Sequence, residues 1–433
     1  MKGFNRMNRK LFDYIEKSPT AYHAVSHTAS ILEEKGFISL CESEKWSLEA
    51  GKGYFVTRNG SSLIAFKIPS KNFGGFMMSA AHSDSPAFKI KENAELADGN
   101  YVRLSVEKYG GMLCSTWLDR PLSVAGRIMV RNAKGFQAKN VDLGDFSAII
   151  PNVAIHMNRN ANDGMAYNAA VDMIPLFGDA SSKDGFLSAV AEKANVKKED
   201  IISTDLFLYN PYKGTEWSNF ITAPRLDDLQ CAFASLEGFL GAKKSKSAPL
   251  YCLFDNEEVG SQTKQGAAST FLFDTLCRIN SALDGDGEML RERIASSFLV
   301  SCDNAHAVHP NHGEYADKNH SAYMNKGIVI KYNANQRYTT DAVSDAFFRL
   351  ICEKAGVPVQ SYTNRADMPG GSTLGNISNT QVSLNTVDIG LAQLAMHSAL
   401  ETAGAKDTEY MAKALCVFFS SSLKITKEGF EIK

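Results

Sequence analysis

Three stretches of almost unbroken apolar residues set the frame of this chain. Gly75-Phe76-Met77-Met78-Ser79-Ala80-Ala81 stops at His82 and Asp84, Pro249-Leu250-Tyr251-Cys252-Leu253-Phe254 at Asp255, Glu257 and Glu258, and Ser297-Phe298-Leu299-Val300-Ser301-Cys302 at Asp303. Runs of this length without polar alternation predict strands of a sheet covered by helices on both faces. Apolar residues at helical spacing occur around them, at 7–16, 22–34 (after a Ser18-Pro19-Thr20 start signal), 228–241, 268–281, 341–355, 390–403 and 408–419. These segments supply the crossovers of an α/β architecture. From about residue 91 the period changes to two. Val102, Leu104 and Val106 share one face of 101–106, and Leu122, Val124, Ile128 and Val130 share one face of 122–130. Such alternation marks strands buried on one side, as in antiparallel sheets. The predicted organisation is a helix-covered, mostly parallel α/β sheet built from residues 1–90 and 219–433, with a β-rich domain, 91–218, inserted into it.

Charge and composition narrow the function. The 433 residues carry 46 Lys and Arg against 48 Asp and Glu, a formal charge of −2, whereas a nucleic-acid binder usually shows a basic excess or face. The densest basic run, Lys243-Lys244-Ser245-Lys246, reads as a solvated loop. With 44% apolar and 22% charged residues the chain is in the globular range. Its eight cysteines are scattered without a C-x-x-C pair, which fits a reducing compartment. No apolar stretch follows the basic N-terminus to make a signal peptide, and none reaches the roughly 20 residues of a membrane span. A cytoplasmic protein that binds neither nucleic acid nor membrane is expected.

The common H-E-x-x-H, G-x-S-x-G, P-loop and dinucleotide patterns are absent. What remains is a dispersed set: His82, Asp84, Asp227, Asp228, Glu257, Glu258, Asp303 and His397. Two zinc ions about 3.5–4 Å apart need a bridging carboxylate, further N and O ligands and a base for the shared water, and this set contains that inventory. His82 and Asp84, two apart on extended backbone, point to one side. Glu257 and Glu258 diverge, so that one can ligate while the other faces the water. Each also has an ordinary reading. Glu257-Glu258 fits a solvated loop, Asp227-Asp228 a helix N-cap with a first-turn acid, and His397, among Leu391, Leu394, Ala395 and Leu400, a core histidine of a helix. What favours the metal is that three strand ends all carry ligand types, since ligands gather at the carboxyl ends of strands in open α/β sheets.

Several motifs then carry a resemblance: Ser18-Pro19-Thr20-Ala21-Tyr22-His23-Ala24-Val25, Ala81-His82-Ser83-Asp84-Ser85-Pro86, Ser115-Thr116-Trp117-Leu118-Asp119-Arg120, Ala154-Ile155-His156-Met157-Asn158-Arg159, Arg225-Leu226-Asp227-Asp228-Leu229, Asp255-Asn256-Glu257-Glu258-Val259-Gly260-Ser261, Ala305-His306-Ala307-Val308-His309-Pro310-Asn311, Asn364-Arg365-Ala366-Asp367-Met368-Pro369-Gly370-Gly371-Ser372-Thr373 and Met396-His397-Ser398. In this order, over nearly the whole chain, they resemble the aspartyl aminopeptidase family of dinuclear zinc exopeptidases. The resemblance implies that His82, Asp227 and Asp303 hold one Zn2+ and Asp227, Glu258 and His397 the other, with Mn2+ or Co2+ as alternatives. Glu257 matches the general base and Asp84 the carboxylate that orients His82.

The resemblance also implies a homo-oligomer, commonly a dodecamer, in which His156 reaches a neighbour's site. By its flanking residues alone His156 reads as a buried strand histidine. Lys331 matches the cation for an acidic N-terminal side chain, with Arg337 a second candidate; its ordinary reading is a strand lysine in solvent. His306, His309 and His312 invite a third metal or a polar substrate rim. Ala399-Leu400-Glu401 departs from the family's usual Ile-Arg-Glu, and Tyr109-Gly110-Gly111-Met112-Leu113-Cys114 lacks an aromatic often found before Ser-Thr-Trp. The expected function is removal of one N-terminal residue, Asp or Glu, from peptides. The alternatives are a neutral or broad preference, or a non-catalytic scaffold of the same fold.

Overall fold

The structure, a computed structural model, describes residues 5–144, 146–427 and 429–433; Lys2 of the basic N-terminal stretch lies outside them. Nine strands form the main sheet, in the order Ile38–Leu40, Gly53–Arg58, Ser62–Lys67, Ala248–Phe254, Phe76–His82, Phe298–Cys302, Asn385–Gly390, Ile328–Tyr332 and Val359–Thr363. The three apolar runs are central neighbours paired in parallel, with Phe254 against His82 and Ser301 against Ala80. Their carboxyl ends therefore meet on one edge.

Every residue of these three strands is buried, because each face of the sheet has its own core. Met77, Ala81, Tyr251, Leu253, Phe298 and Val300 enter one cluster with the helices Arg6–Glu16, Ala21–Glu34, Leu226–Gly241, Ala342–Ala355 and Asp407–Phe419. Phe76, Met78, Ala80, Leu250, Cys252 and Leu299 enter the other with Phe271–Ala282 and Leu374–Gln381. The alternation is real but hidden in the sequence, since both faces demand apolar side chains.

The chain leaves this sheet after His82 and returns at Ala248. Between them an antiparallel six-stranded sheet runs Gly135–Asp142, Ser123–Asn132, Ile201–Tyr209, Ala87–Ala97, Tyr101–Tyr109, Leu176–Asp179. Its buried face gathers Leu104, Val106, Leu122, Val124, Ile128 and Val130, together with Phe186 and Val190 of the helix Phe186–Ala194. A five-stranded sheet, Thr215–Trp217, Phe220–Ala223, Glu401–Gly404, Ala392–Leu394, Ala305–His306, lies beside the main one. Among the described residues no helix is long and apolar enough to cross a membrane.

Two expectations are corrected. Residues 390–403 are not a helix: Ala392–Leu394 and Glu401–Gly404 are strands, joined by a turn in which Ala395 (φ 56°) and His397 (φ 66°) are left-handed. The spacing of Leu391, Leu394 and Leu400 mimicked a helix because two short strands and a turn happen to repeat at three to four residues. Asp227 and Asp228 do not cap the helix that follows. Their backbone is non-helical, and Asp228 Oδ2 instead accepts the His82 amide (3.0 Å).

Candidate metal centre

His82 closes its strand, Asp303 follows Cys302 directly, and Glu257 and Glu258 open a short 3-10 turn after the left-handed Asn256. Asp227 stands at the kinked start of the helix Leu226–Gly241, and His397 comes in on its turn from the far side. His82 Nε2 lies 3.4 Å from Asp227 Oδ1 and 3.9 Å from Asp303 Oδ1. His397 Nε2 lies 3.4 Å from Asp227 Oδ2 and 3.3 Å from Glu258 Oε2. Possible ligand atoms of His82, Asp227, Asp228 and Asp303 thus lie within 4.8 Å of one another, as do those of Asp227, Glu258 and His397. Asp227 offers one oxygen to each group.

The set fits divalent cations on physical grounds. Asp227 Oδ1 and Glu258 Oε1 are buried with no hydrogen-bond partner among the described residues, which is costly unless a cation or donor completes them. Although burial opposes it, the carboxylates of Asp227 and Glu258 lift His397 to about 10. Burial, with Asp303, Asp84 and Asp227 close by, pushes Glu257 up to about 8. The pocket strongly favours added positive charge, and its imidazole and carboxylate donors suit zinc.

The surroundings fix the donors. His82 Nδ1 is 3.0 Å from the Asp84 carbonyl and 3.4 Å from its carboxylate, so the backbone of Asp84 is the nearer partner. The Asp84 carboxylate accepts the amides of Glu257 (3.1 Å) and Glu258 (3.2 Å) and the hydroxyl of Tyr109 (2.7 Å). His397 Nδ1 is 2.5 Å from the Gly111 carbonyl. Glu401, buried, accepts the amides of Asp227 (3.0 Å) and His397 (2.8 Å), one on each oxygen. Such partners orient ligands and set their basicity. Sequence reasoning did not find Tyr109, Gly111 or Glu401 in these roles; the one signal was Glu401 four residues after His397.

Glu257, His82, Asp227, Asp303 and His397 line a cavity of about 130 Å³ whose wall also holds His306, Lys331, Tyr338, Tyr362 and Ser372. Lys331 is only 2% exposed, not a solvated strand lysine. Its ammonium donates to the Asp303 carbonyl (2.9 Å) and carboxylate (3.3 Å) and to the Asn304 carbonyl (3.2 Å). Arg337 is exposed and does not line that wall. His309 and His312 face each other at 5.1 Å, with His312 on Glu314, but they form no metal-holding group with His306 among the described residues. His156 occupies an exposed turn rather than a buried strand, and the chain's own fold does not bring it to the centre.

Comparison with known proteins shows the family. Residues 14–419 match the family described as Aminopeptidase I zinc metalloprotease (M18). A Clostridium novyi (strain NT) protein named probable M18 family aminopeptidase 2 is 43% identical over 432 residues, covering 97% of this chain and 100% of that protein. The solved chain titled "Cryo-EM structure of the Ape4 and Nbr1 complex" superposes with a TM-score of 0.92 at 34% identity, covering 96% of this chain and 85% of that one. "Structure of S. cerevesiae mApe1 dodecamer" superposes at 0.84 and 30% identity, covering 96% of both chains. With the zinc-type donor set at three parallel strand ends and relatives matched along almost its full length, the chain belongs to the M18 family of zinc metalloproteases and is an aminopeptidase.

Proposed function

We propose that this chain removes a single N-terminal residue, Asp or Glu, from peptides at a centre for two Zn2+, with Mn2+ or Co2+ able to substitute. The observation that carries the reading is the sharing of Asp227 between two donor groups on the wall of a cavity that Glu257 also lines. His82, Asp227 and Asp303 would hold one ion, and Asp227, Glu258 and His397 the other. When bound, such ions supply Lewis acidity and a water acidified towards neutrality. Glu257, on the wall of the same cavity beside the donor groups, would take a proton from that water and return it to the leaving amine.

Lys331 gives the cavity a cation, and that supports an acidic N-terminal side chain. One observation favours a second reading, a neutral or broad preference: the Lys331 ammonium already has three acceptors in Asp303 and Asn304. Exposed Val153, Ile155 and Met157, flanking His156, support assembly of several copies, as does the dodecameric relative. Eight free cysteines support a cytoplasmic setting.

The test is hydrolysis of Asp-, Glu- and Leu-initiated peptides by wild type and Glu257→Gln, before and after chelation and zinc restoration. Chelator-sensitive release of Asp or Glu, with kcat lower by about 10²–10⁴ in Glu257→Gln, is expected. Release of Leu alone rejects the acidic preference, and near-wild-type turnover of Glu257→Gln removes its role. No release by zinc-loaded protein leaves the scaffold alternative.

A further inference from the structure

The strand Tyr101–Tyr109 belongs to the six-stranded sheet, yet its end reaches the metal centre at three successive residues. Tyr109 donates its hydroxyl to Asp84 Oδ2 (2.7 Å) and accepts from Asn256 Nδ2 (2.8 Å). Gly110, left-handed at φ 78°, lies so close that a Cβ there would stand 3.1 Å from the Glu258 Cβ. Gly111 turns its carbonyl to His397 Nδ1. The ring of His82 is held by the Asp84 backbone carbonyl, and the turn bearing Glu257 and Glu258 hangs from the Asp84 carboxylate by two amides. Tyr109 supplies the third donor to this hub and also fixes Asn256, the residue that starts the turn.

We infer that residues 109–111 are a positioning element of the metal centre, and that Tyr109, acting through Asp84 and Asn256, sets the placement of His82 and of the Glu257-Glu258 turn. The six-stranded sheet is then part of the catalytic apparatus of its own chain, independently of any role in assembly. The inference rests on the proposed dinuclear centre. The Tyr109 hydroxyl is bonded to Asp84 and Asn256, neither a proposed ligand, so it holds other groups rather than reacting.

The test compares wild type, Tyr109→Phe, Phe207→Leu and Asn256→Gly. Phe207 packs edge-on against the Tyr109 ring at 5.6 Å, so Phe207→Leu weakens the packing and keeps the hydroxyl bonds. Asn256→Gly removes the hydroxyl's other partner at a left-handed position where glycine is at ease. Zinc affinity is measured by competition with a chromophoric chelator, with kcat and KM at saturating zinc and the melting temperature of metal-free protein. Tyr109→Phe is expected to bind zinc about 10–100-fold more weakly, the range for loss of a partner behind a ligand, with lower kcat and unchanged KM. Asn256→Gly is expected to follow it, and Phe207→Leu to lower the melting temperature with zinc affinity intact.

Wild-type zinc affinity in Tyr109→Phe overturns the inference, as does an equal loss in Phe207→Leu, which would assign the effect to packing. If Tyr109→Phe does not fold, Asn256→Gly decides by the same criterion. Wild type that takes up no zinc defeats the dinuclear reading itself. Uptake of two ions by wild type with unaltered Tyr109→Phe and Asn256→Gly defeats only the positioning role.

Discussion

Lys331 shows how one side chain can be claimed by two tasks. Its ammonium neutralises the buried Asp303 carboxylate and satisfies two carbonyls, and a buried carboxylate left without its cation is strongly disfavoured. Lys331→Met should therefore lower the melting temperature of the metal-free protein, in which Asp303 is left without a counter-charge. If Lys331 also meets the substrate, kcat/KM for Asp-initiated peptides falls at least about tenfold further than for Leu-initiated ones, a gap of about 1.4 kcal/mol. Equal losses would assign Lys331 to Asp303 alone. At this scale the sequence was legible where a ligand ends a strand: His82 and Asp303 stand out because an apolar run stops at them. It was less so for His397, whose turn needs two left-handed residues that no glycine announces. Tyr109 could not be placed in its role, because it acts on groups far away in sequence, and Glu401 lies near His397 but far from Asp227.

At the scale of elements, the helix that starts at the bridging Asp227 packs its other end on the helix Asp407–Phe419. Gly238 permits that approach: a Cβ there would stand 2.8 Å from the Leu415 Cβ and 3.1 Å from the Ala412 carbonyl. Gly238→Leu should cost about 1–3 kcal/mol by overpacking, read as a lower melting temperature, and a neutral result would show that the helices can separate freely. Long apolar helices were readable, and 7–16, 228–241 and 408–419 fall within two residues of Arg6–Glu16, Leu226–Gly241 and Asp407–Phe419. Two strands of the six-stranded sheet, Tyr101–Tyr109 and Ser123–Asn132, were readable by period two. The segment 390–403 failed because its strands are too short to display a period before the turn intervenes.

At the scale of the whole molecule, the helix Ala21–Glu34 is wedged between the two large sheets. Arg127 of the six-stranded sheet lies 4.2 Å over the Tyr22 ring, and Asn140 Nδ2 donates to the Tyr22 carbonyl. Burial in this seam pushes the neighbouring His23 imidazole down to about 4, with Thr20 Oγ1 2.8 Å from its Nδ1. Since the folded value lies below the ordinary 6.5, the fold prefers the neutral ring. Its contribution is complete above about pH 6.5 and is lost as pH falls towards 4, at most roughly 3 kcal/mol. His23→Gln should flatten the fall of melting temperature across that window; an unchanged acid limb would place the sensitivity elsewhere.

The central pairing of Phe76–His82 with Ala248–Phe254 also has a meaning during synthesis. The first strand leaves the ribosome about 170 residues before its partner, which at about 5–20 residues per second is roughly 10–30 s. For that interval an apolar strand ending in His82 has no neighbour on that side, while the six-stranded sheet emerges complete and can fold first. The nascent chain is therefore most prone to aggregation, and most in need of a chaperone, before its hydrolytic half has been made.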